Sequence, residues 1–256
     1  MSLDQRVKLH TEILGEGRPA LLLHGWGGSS NTMKPLGKLL ASSAQVRLVD
    51  LPGFGQSDAP NDVWDTFQYA DRLVADLDEQ QISQVDVVGH SFGGKVALSM
   101  AIRYPERVRR LVVMGTSGFR SCIPWHRRSR ALLLKWLGRI LRTLDAVVGS
   151  NYYRDWFISR YASVDYKNAG ELRPILVKSI HDDLTAELER ILCPTLILWG
   201  DKDQETPISI AHHLNKHIVD SRLVVHPGKG HLLFQDVGAH LCAHHILSFL
   251  GDATHG

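Results

Sequence analysis

One short run constrains this chain more than any other: Gly89-His90-Ser91-Phe92-Gly93-Gly94. It follows a buried-type apolar run, VDVVG over 85–89, and opens a helix-like segment over 92–103. Glycines on both sides of a lone serine fit a sharp strand-to-helix turn, because small residues let the two backbones pass without clash. Such a turn requires a strand of a sheet that is itself covered by helices, which directs the reading to an α/β architecture.

The rest of the chain keeps that rhythm. Residues 7–13 alternate polar and apolar and read as an early, half-exposed strand. Apolar runs at 20–24 (ALLLH), 45–50 (QVRLVD) and 111–115 (LVVMG) read as further strands. The spacing predicts a helix over 66–79, with Phe67, Ala70, Leu73, Val74 and Leu77 on one face. From Gly118 to about Glu189 no strand pattern appears, and residues 131–148 read as one helical stretch. Alternation resumes with 194–200 (PTLILWG), a helix over 207–217, a strand over 222–226 and a last helix from about 237 to 250. The expectation is a core of residues 1–117 and 188–256 with a helical insertion, 118–187.

Composition narrows the class. A hydrophobic fraction of 44% with 22% charged residues is globular. A chain of 256 residues buries roughly three quarters of its unfolded surface, so it needs no disulfide or metal staple. The net charge of +2 excludes a uniformly basic nucleic-acid-binding surface. Cys122, Cys193 and Cys242 are few and widely spaced, without a CxxC. The start, MSLDQRVKLHTE, has no basic-then-apolar leader, and no run of about 18 apolar residues exists to span a membrane. The expected location is cytoplasmic.

A serine at such a turn needs a base to take its proton and an acid to orient the base. In this architecture both come from later loops, at the carboxyl ends of strands, in the order serine, acid, histidine. The loop after PTLILWG supplies Asp201, Asp203 and Glu205, and the loop after RLVVH supplies His231. Asp203 is the preferred acid, with Asp201 and Glu205 as alternatives. Two N–H donors must hold a developing oxyanion. Phe92 supplies one and Trp26, in the Gly25-Trp26-Gly27-Gly28 loop, the other. The Trp26 side chain is a candidate pocket wall, while His24 and His90 read as structural. A rival P-loop reading of Gly89 to Lys95 fails at Val96, where magnesium needs Ser or Thr.

Five motifs in order, HGWG at 24–27, DLPGFGQS at 50–57, GHSFGG at 89–94, WGDKD at 199–203 and Gly230-His231, resemble the α/β-hydrolase superfamily. The resemblance covers about 5–117 and 188–250. It implies a mostly parallel sheet with helices on both faces and a helical cap inserted after the sixth strand. It also implies Ser91 as nucleophile, Asp203 as acid and His231 as base. Ser91 stands where haloalkane dehalogenases and epoxide hydrolases carry Asp. The branches left resemble carboxylesterases, including pimeloyl-carrier methyl ester esterases, carbon–carbon hydrolases of the meta-cleavage type and perhydrolases. The expected activity is therefore hydrolysis of a small-molecule carboxylic ester, without cofactor or metal. A non-catalytic receptor on the same fold is the alternative from another class.

Charge is uneven along the chain. Ten Lys/Arg and no Asp or Glu occupy the stretch from Arg107 to Leu144. The plainer reading is a solvated face, and the sharper one is a site for an acidic acyl-carrier partner or a substrate carboxylate. Leu132, Leu133, Trp136, Leu137, Ile140, Leu141 and Leu144 either pack on the core or line an acyl pocket, with Trp136 the candidate substrate contact. His213/His217 and His240/His244 have a metal-ligand spacing, but neither pair has a carboxylate-bearing motif, so no metal is expected.

Overall fold

The computed structural model describes residues 7–119 and 125–251. A seven-stranded sheet with strand order β1-β3-β2-β4-β5-β6-β7 organises them. The strands are β1 (Thr11–Leu14), β2 (Pro19–Leu23), β3 (Gln45–Val49), β4 (Val85–His90), β5 (Val108–Met114), β6 (Thr195–Gly200) and β7 (Ser221–His226). Only the β1–β3 pair is antiparallel. The strands β2, β4 and β6 are buried along nearly their whole length, which explains their unbroken Leu, Val and Ile runs.

Helices cover both faces. On one side, α1 (Ser30–Leu40) and α9 (Val237–Gly251) bury Met33, Leu36, Cys242 and Ile246 against the sheet. On the other lie α2 (Thr66–Glu79), α3 (Phe92–Arg103) and α8 (Ser209–His217). The range read for α2 from hydrophobic spacing and that read for α3 from its place after the glycine-rich turn coincide with the helices formed. Helix α1 has no counterpart in the sequence reading, because Pro35 lies inside it. It forms nonetheless: Ser29 and Thr32 cap its start reciprocally, and Gly37 lets it approach Leu48 of the sheet closely.

Between β5 and β6 the regular elements among the described residues are all helical. The pieces are α4 (Trp125–Val148), a π-helical turn (Tyr153–Ile158), α5 (Ser159–Tyr161), α6 (Val164–Asn168), a 3₁₀ turn (Gly170–Leu172), α7 (Arg173–His181) and a second 3₁₀ turn (Thr185–Arg190). Among the described residues this insertion follows the fifth strand in chain order, whereas the superfamily-based expectation counts a sixth ahead of it.

The basic stretch divides across the molecule. Arg107, Arg109 and Arg110 stand at the amino end of β5 and are engaged there. Arg107 pairs with Asp78 at 2.7 Å, Arg109 with buried Asp86, and Arg110 donates to the Phe249 carbonyl. Lys135, Arg139 and Arg142 are exposed on α4. Arg120, Cys122 and the side chains of Arg127, Arg128 and Arg130 lie outside the described residues.

Lys95 is wholly buried and ties the insertion to the core. Its ammonium donates to the carbonyls of Ser179 and Asp182, and burial pushes its pKa down to about 8, with Asp182 and Asp183 opposing. Lys95→Met keeps the stem and strands both carbonyls. It is expected to cost about 1–3 kcal/mol in chemical denaturation, and an unchanged midpoint would remove the tie from this account.

Candidate active site

The strand order reverses between β2 and β4, so the loops leaving their carboxyl ends diverge and open a crevice. Ser91 stands at that point, immediately after β4 and before α3. Its backbone is at φ 51°, ψ −114°, a left-handed conformation that a non-glycine residue adopts only when its surroundings hold it. Ser91 N–H donates to the Met114 carbonyl at 2.9 Å, and its own carbonyl accepts from Lys95 N–H at 3.0 Å. A Cβ on Gly89 would lie 2.5 Å from the Gly93 carbonyl oxygen, and one on Gly93 would lie 2.4 Å from that of Leu23. The two glycines therefore make the turn sterically feasible.

Asp203 and His231 meet beside it. His231 Nδ1 lies 2.8 Å from Asp203 Oδ2, with the Asp203 side chain only 1% exposed. The other Asp203 oxygen accepts from the N–H groups of Glu205 and Thr206 at 2.9 and 2.8 Å. The Thr206 hydroxyl donates to Oδ2 at 2.6 Å. Burial alone would lift the Asp203 carboxyl. The bonds from His231 and Thr206 outweigh it and hold the group below the usual carboxylate range. Burial alone would lower the His231 ring. The hydrogen bond and charge of Asp203 outweigh that, joined by Glu205 and Asp165, and the pKa rises above its ordinary value. Gly115 directly follows β5, and a Cβ there would come within 3.1 Å of His231 Nδ1 and 3.3 Å of Asp203 Oδ2.

The alternative acids stand elsewhere. Asp201 accepts from Gly228 N–H at 2.6 Å and ties the two loops together. Glu205 lies on the other side of the ring, with Oε2 3.4 Å from His231 Nε2. His24 and His90 both brace loops. His24 Nδ1–H donates to the Gly25 carbonyl at 2.7 Å while its Nε2 accepts from Leu51 N–H at 3.0 Å. His90 Nε2 lies 3.0 Å from the His231 carbonyl oxygen, and burial lowers the His90 pKa to about 3, so the neutral ring donates there.

Ser91, His231, Trp26, Glu205 and Asp165 line one cavity of about 170 Å³. It adjoins a second of about 490 Å³, walled by Trp26, Phe54, Asp165, Asn168 and Leu172. Trp26 belongs to both and packs edge-on against Phe54 and Phe92, at 4.9 and 5.2 Å between ring centres. Phe92 opens α3, where the first backbone N–H groups have no acceptor within the helix. Trp136 does not join the site: it is 63% exposed on the outer side of α4 and lines neither cavity. Among the described residues no group of three metal-ligating side chains assembles.

Three residues at the site escaped the sequence reading in these roles. Thr206 orients the acid, Asp165 reaches the cavity from α6, and Glu205 faces the wrong nitrogen for an orienting acid. Thr206 follows Asp203 by three positions, a spacing at which a carboxylate accepts from a turn, and that signal was available. Asp165 gives none, because its approach depends on how the insertion folds back.

A family model described as alpha/beta hydrolase fold matches residues 19–156. The chain is 31% identical over 254 residues to a 2-hydroxymuconate semialdehyde hydrolase of Pseudomonas putida, covering 90% of this chain and 86% of that one. It is 32% identical over 224 residues to a pimeloyl-[acyl-carrier protein] methyl ester esterase of Shewanella woodyi, covering 82% and 85%. Among solved structures, an esterase from Exiguobacterium antarcticum shares the fold at a TM-score of 0.72 and 22% identity, with 96% of each chain covered.

The groups facing His231 are Asp203 and Glu205 from the loop after β6, Asp165 from α6 and His90 from β4. Glu205→Gln removes one negative charge beside Nε2 and so favours the neutral ring. The His231 titration midpoint, followed by NMR, is expected to fall. A midpoint equal to that of the parent would show that Glu205 does not act on the ring.

Proposed function

This chain belongs to the α/β hydrolase fold family, and we propose that it is a serine hydrolase that cleaves a carboxylic ester through an acyl-enzyme on Ser91. One observation carries the reading: a single cavity receives both Ser91, held at φ 51°, and His231, bonded to buried Asp203. Ser91 Oγ attacks the ester carbonyl as His231 Nε2 takes the hydroxyl proton. Asp203 keeps the ring proton on Nδ1 and stabilises the imidazolium that forms. The backbone N–H groups of Phe92 and Trp26 hold the oxyanion. Collapse breaks the ester bond, and His231 returns its proton to the leaving alkoxide. The same ring then deprotonates the water that releases the acid from Ser91. Acyl transfer of this kind draws on these groups alone, so the reading assigns neither cofactor nor metal.

Residues 118–187 serve in this reading as the cap. Val164, Asp165 and Asn168 of α6, with Leu172, give the second cavity one of its walls. That cavity suits the acyl or alcohol part of a small ester. Asp165 and Glu205 stand at the reacting groups, and no Lys or Arg lines either cavity among the described residues. A carboxylate next to the scissile bond would meet like charge there, which favours a neutral ester over the carbon–carbon alternative, whose muconate-type substrate bears one. A second reading, an ester borne by an acidic acyl carrier, is supported by the methyl ester esterase relative. The reading places the enzyme in the cytoplasm, in keeping with the free thiols of Cys193 and Cys242. No described helix is long and apolar enough to cross a membrane.

Ser91→Ala is expected to lower turnover of a short p-nitrophenyl ester by on the order of a millionfold, with the fold intact by circular dichroism. Parent-level turnover by the variant, or a parent chain that binds esters without turning any over, would overturn the proposal.

A further inference from the structure

Helix α4 has two apolar faces, and packing accounts for only one. Its inner side carries Leu134, Leu137 and Leu141, with Gly138 buried so closely that a Cβ would meet the rings of Phe157 and Tyr153 at 3.0 and 3.1 Å. Its outer side carries Leu132, Leu133, Trp136, Leu144 and Val147, each more than half exposed. At helical rise the outer stripe runs about 22 Å. Lys135 and Arg139, four residues apart and both exposed, flank it, while Arg142 on the next turn lies over the Tyr153 ring at 4.9 Å and donates to its hydroxyl at 3.3 Å. Asp145, the acid of this helix, accepts from the N–H groups of Tyr152 and Tyr153 in the following turn.

We propose that the outer face of α4 seats this protein on an anionic lipid surface. A solvent-facing Leu/Trp/Val stripe flanked by cations, on a helix that cannot span, is the arrangement that lies in a membrane interface: the stripe enters the acyl boundary and the cations meet headgroup phosphates. Charge decides between occupants. No Asp or Glu occurs between Arg107 and Leu144, so two copies joined through this face would double the positive charge beside the stripe without this stretch supplying a counter-charge. A soluble acidic carrier would meet the cations but leave the stripe in water. An anionic bilayer satisfies both rows. The inference concerns a surface outside the two cavities and does not depend on the ester reading.

The experiment is co-sedimentation of the full chain with vesicles of phosphatidylcholine alone and of phosphatidylcholine mixed equally with phosphatidylglycerol. Binding to the mixed vesicles is expected, weakening as salt rises. Lys135→Gln with Arg139→Gln should weaken it about fivefold per charge. Leu132→Gln with Leu133→Gln and Val147→Gln should weaken it on the order of a hundredfold, with turnover of a soluble ester and the circular dichroism spectrum unchanged. Failure to bind the mixed vesicles at low salt would overturn the proposal. So would undiminished binding by the apolar triple variant, or a dimer of the parent chain that this variant dissociates.

Discussion

The geometry of the site depends on holding Ser91 at φ 51°, a conformation that costs a non-glycine residue about 1–3 kcal/mol. Several contacts share the task. Gly89 and Gly93 let α3 fold back over the end of β4, and the Met114 carbonyl fixes the serine N–H from the neighbouring strand. Gly25 permits the loop after β2 to come down on His90 and Ser91, since a Cβ there would lie 2.9 Å from His90 Nδ1 and 3.2 Å from Ser91 Cβ. The parallel pairing of β2, β4 and β5 thus does more than build a core. It sets three loop ends against one another at the point where the strand order reverses, and the strained turn is the part they jointly support.

Legibility from sequence followed the range of the interactions involved. The strands and helix α2 were readable because their apolar patterning is local and strong, and α3 because it follows the glycine-rich turn after a strand. Helix α1 was not, because Pro35 argues against a helix and the evidence for one lies in burial against β3, which is a tertiary fact. The pairing of His231 with a carboxylate of the loop after β6 was readable from strand order. The choice among the three acids was not decided by spacing, since Asp201, Asp203 and Glu205 all sit within five positions. Backbone geometry separates them: Asp203 turns inward onto Thr206 N–H and His231, Asp201 turns to Gly228, and Glu205 passes to the far side of the ring. Trp136 illustrates the converse. Its helix was foreseen, but which face of it looks outward depends on the packing of Gly138 against Tyr153 and Phe157, which no periodicity states.

Charge is partitioned in the same way. The basic stretch reads as one block in the chain, yet Arg107, Arg109 and Arg110 are consumed by structural contacts at the amino end of β5, remote from Ser91. The cavities are instead lined by Asp165 and Glu205, whose charge favours the protonated ring of His231. Among the described residues of that stretch, Lys135 and Arg139 stand exposed on the outer side of α4.

The central claim is that acyl transfer passes through Ser91 Oγ. Its most direct measurement is mass spectrometry of protein quenched during turnover of a p-nitrophenyl ester, followed by peptide mapping. The account predicts an adduct of the acyl mass on the peptide containing Ser91, formed with a burst of p-nitrophenol and absent from Ser91→Ala. Steady turnover with no acyl adduct, or an adduct on any other residue, would contradict it.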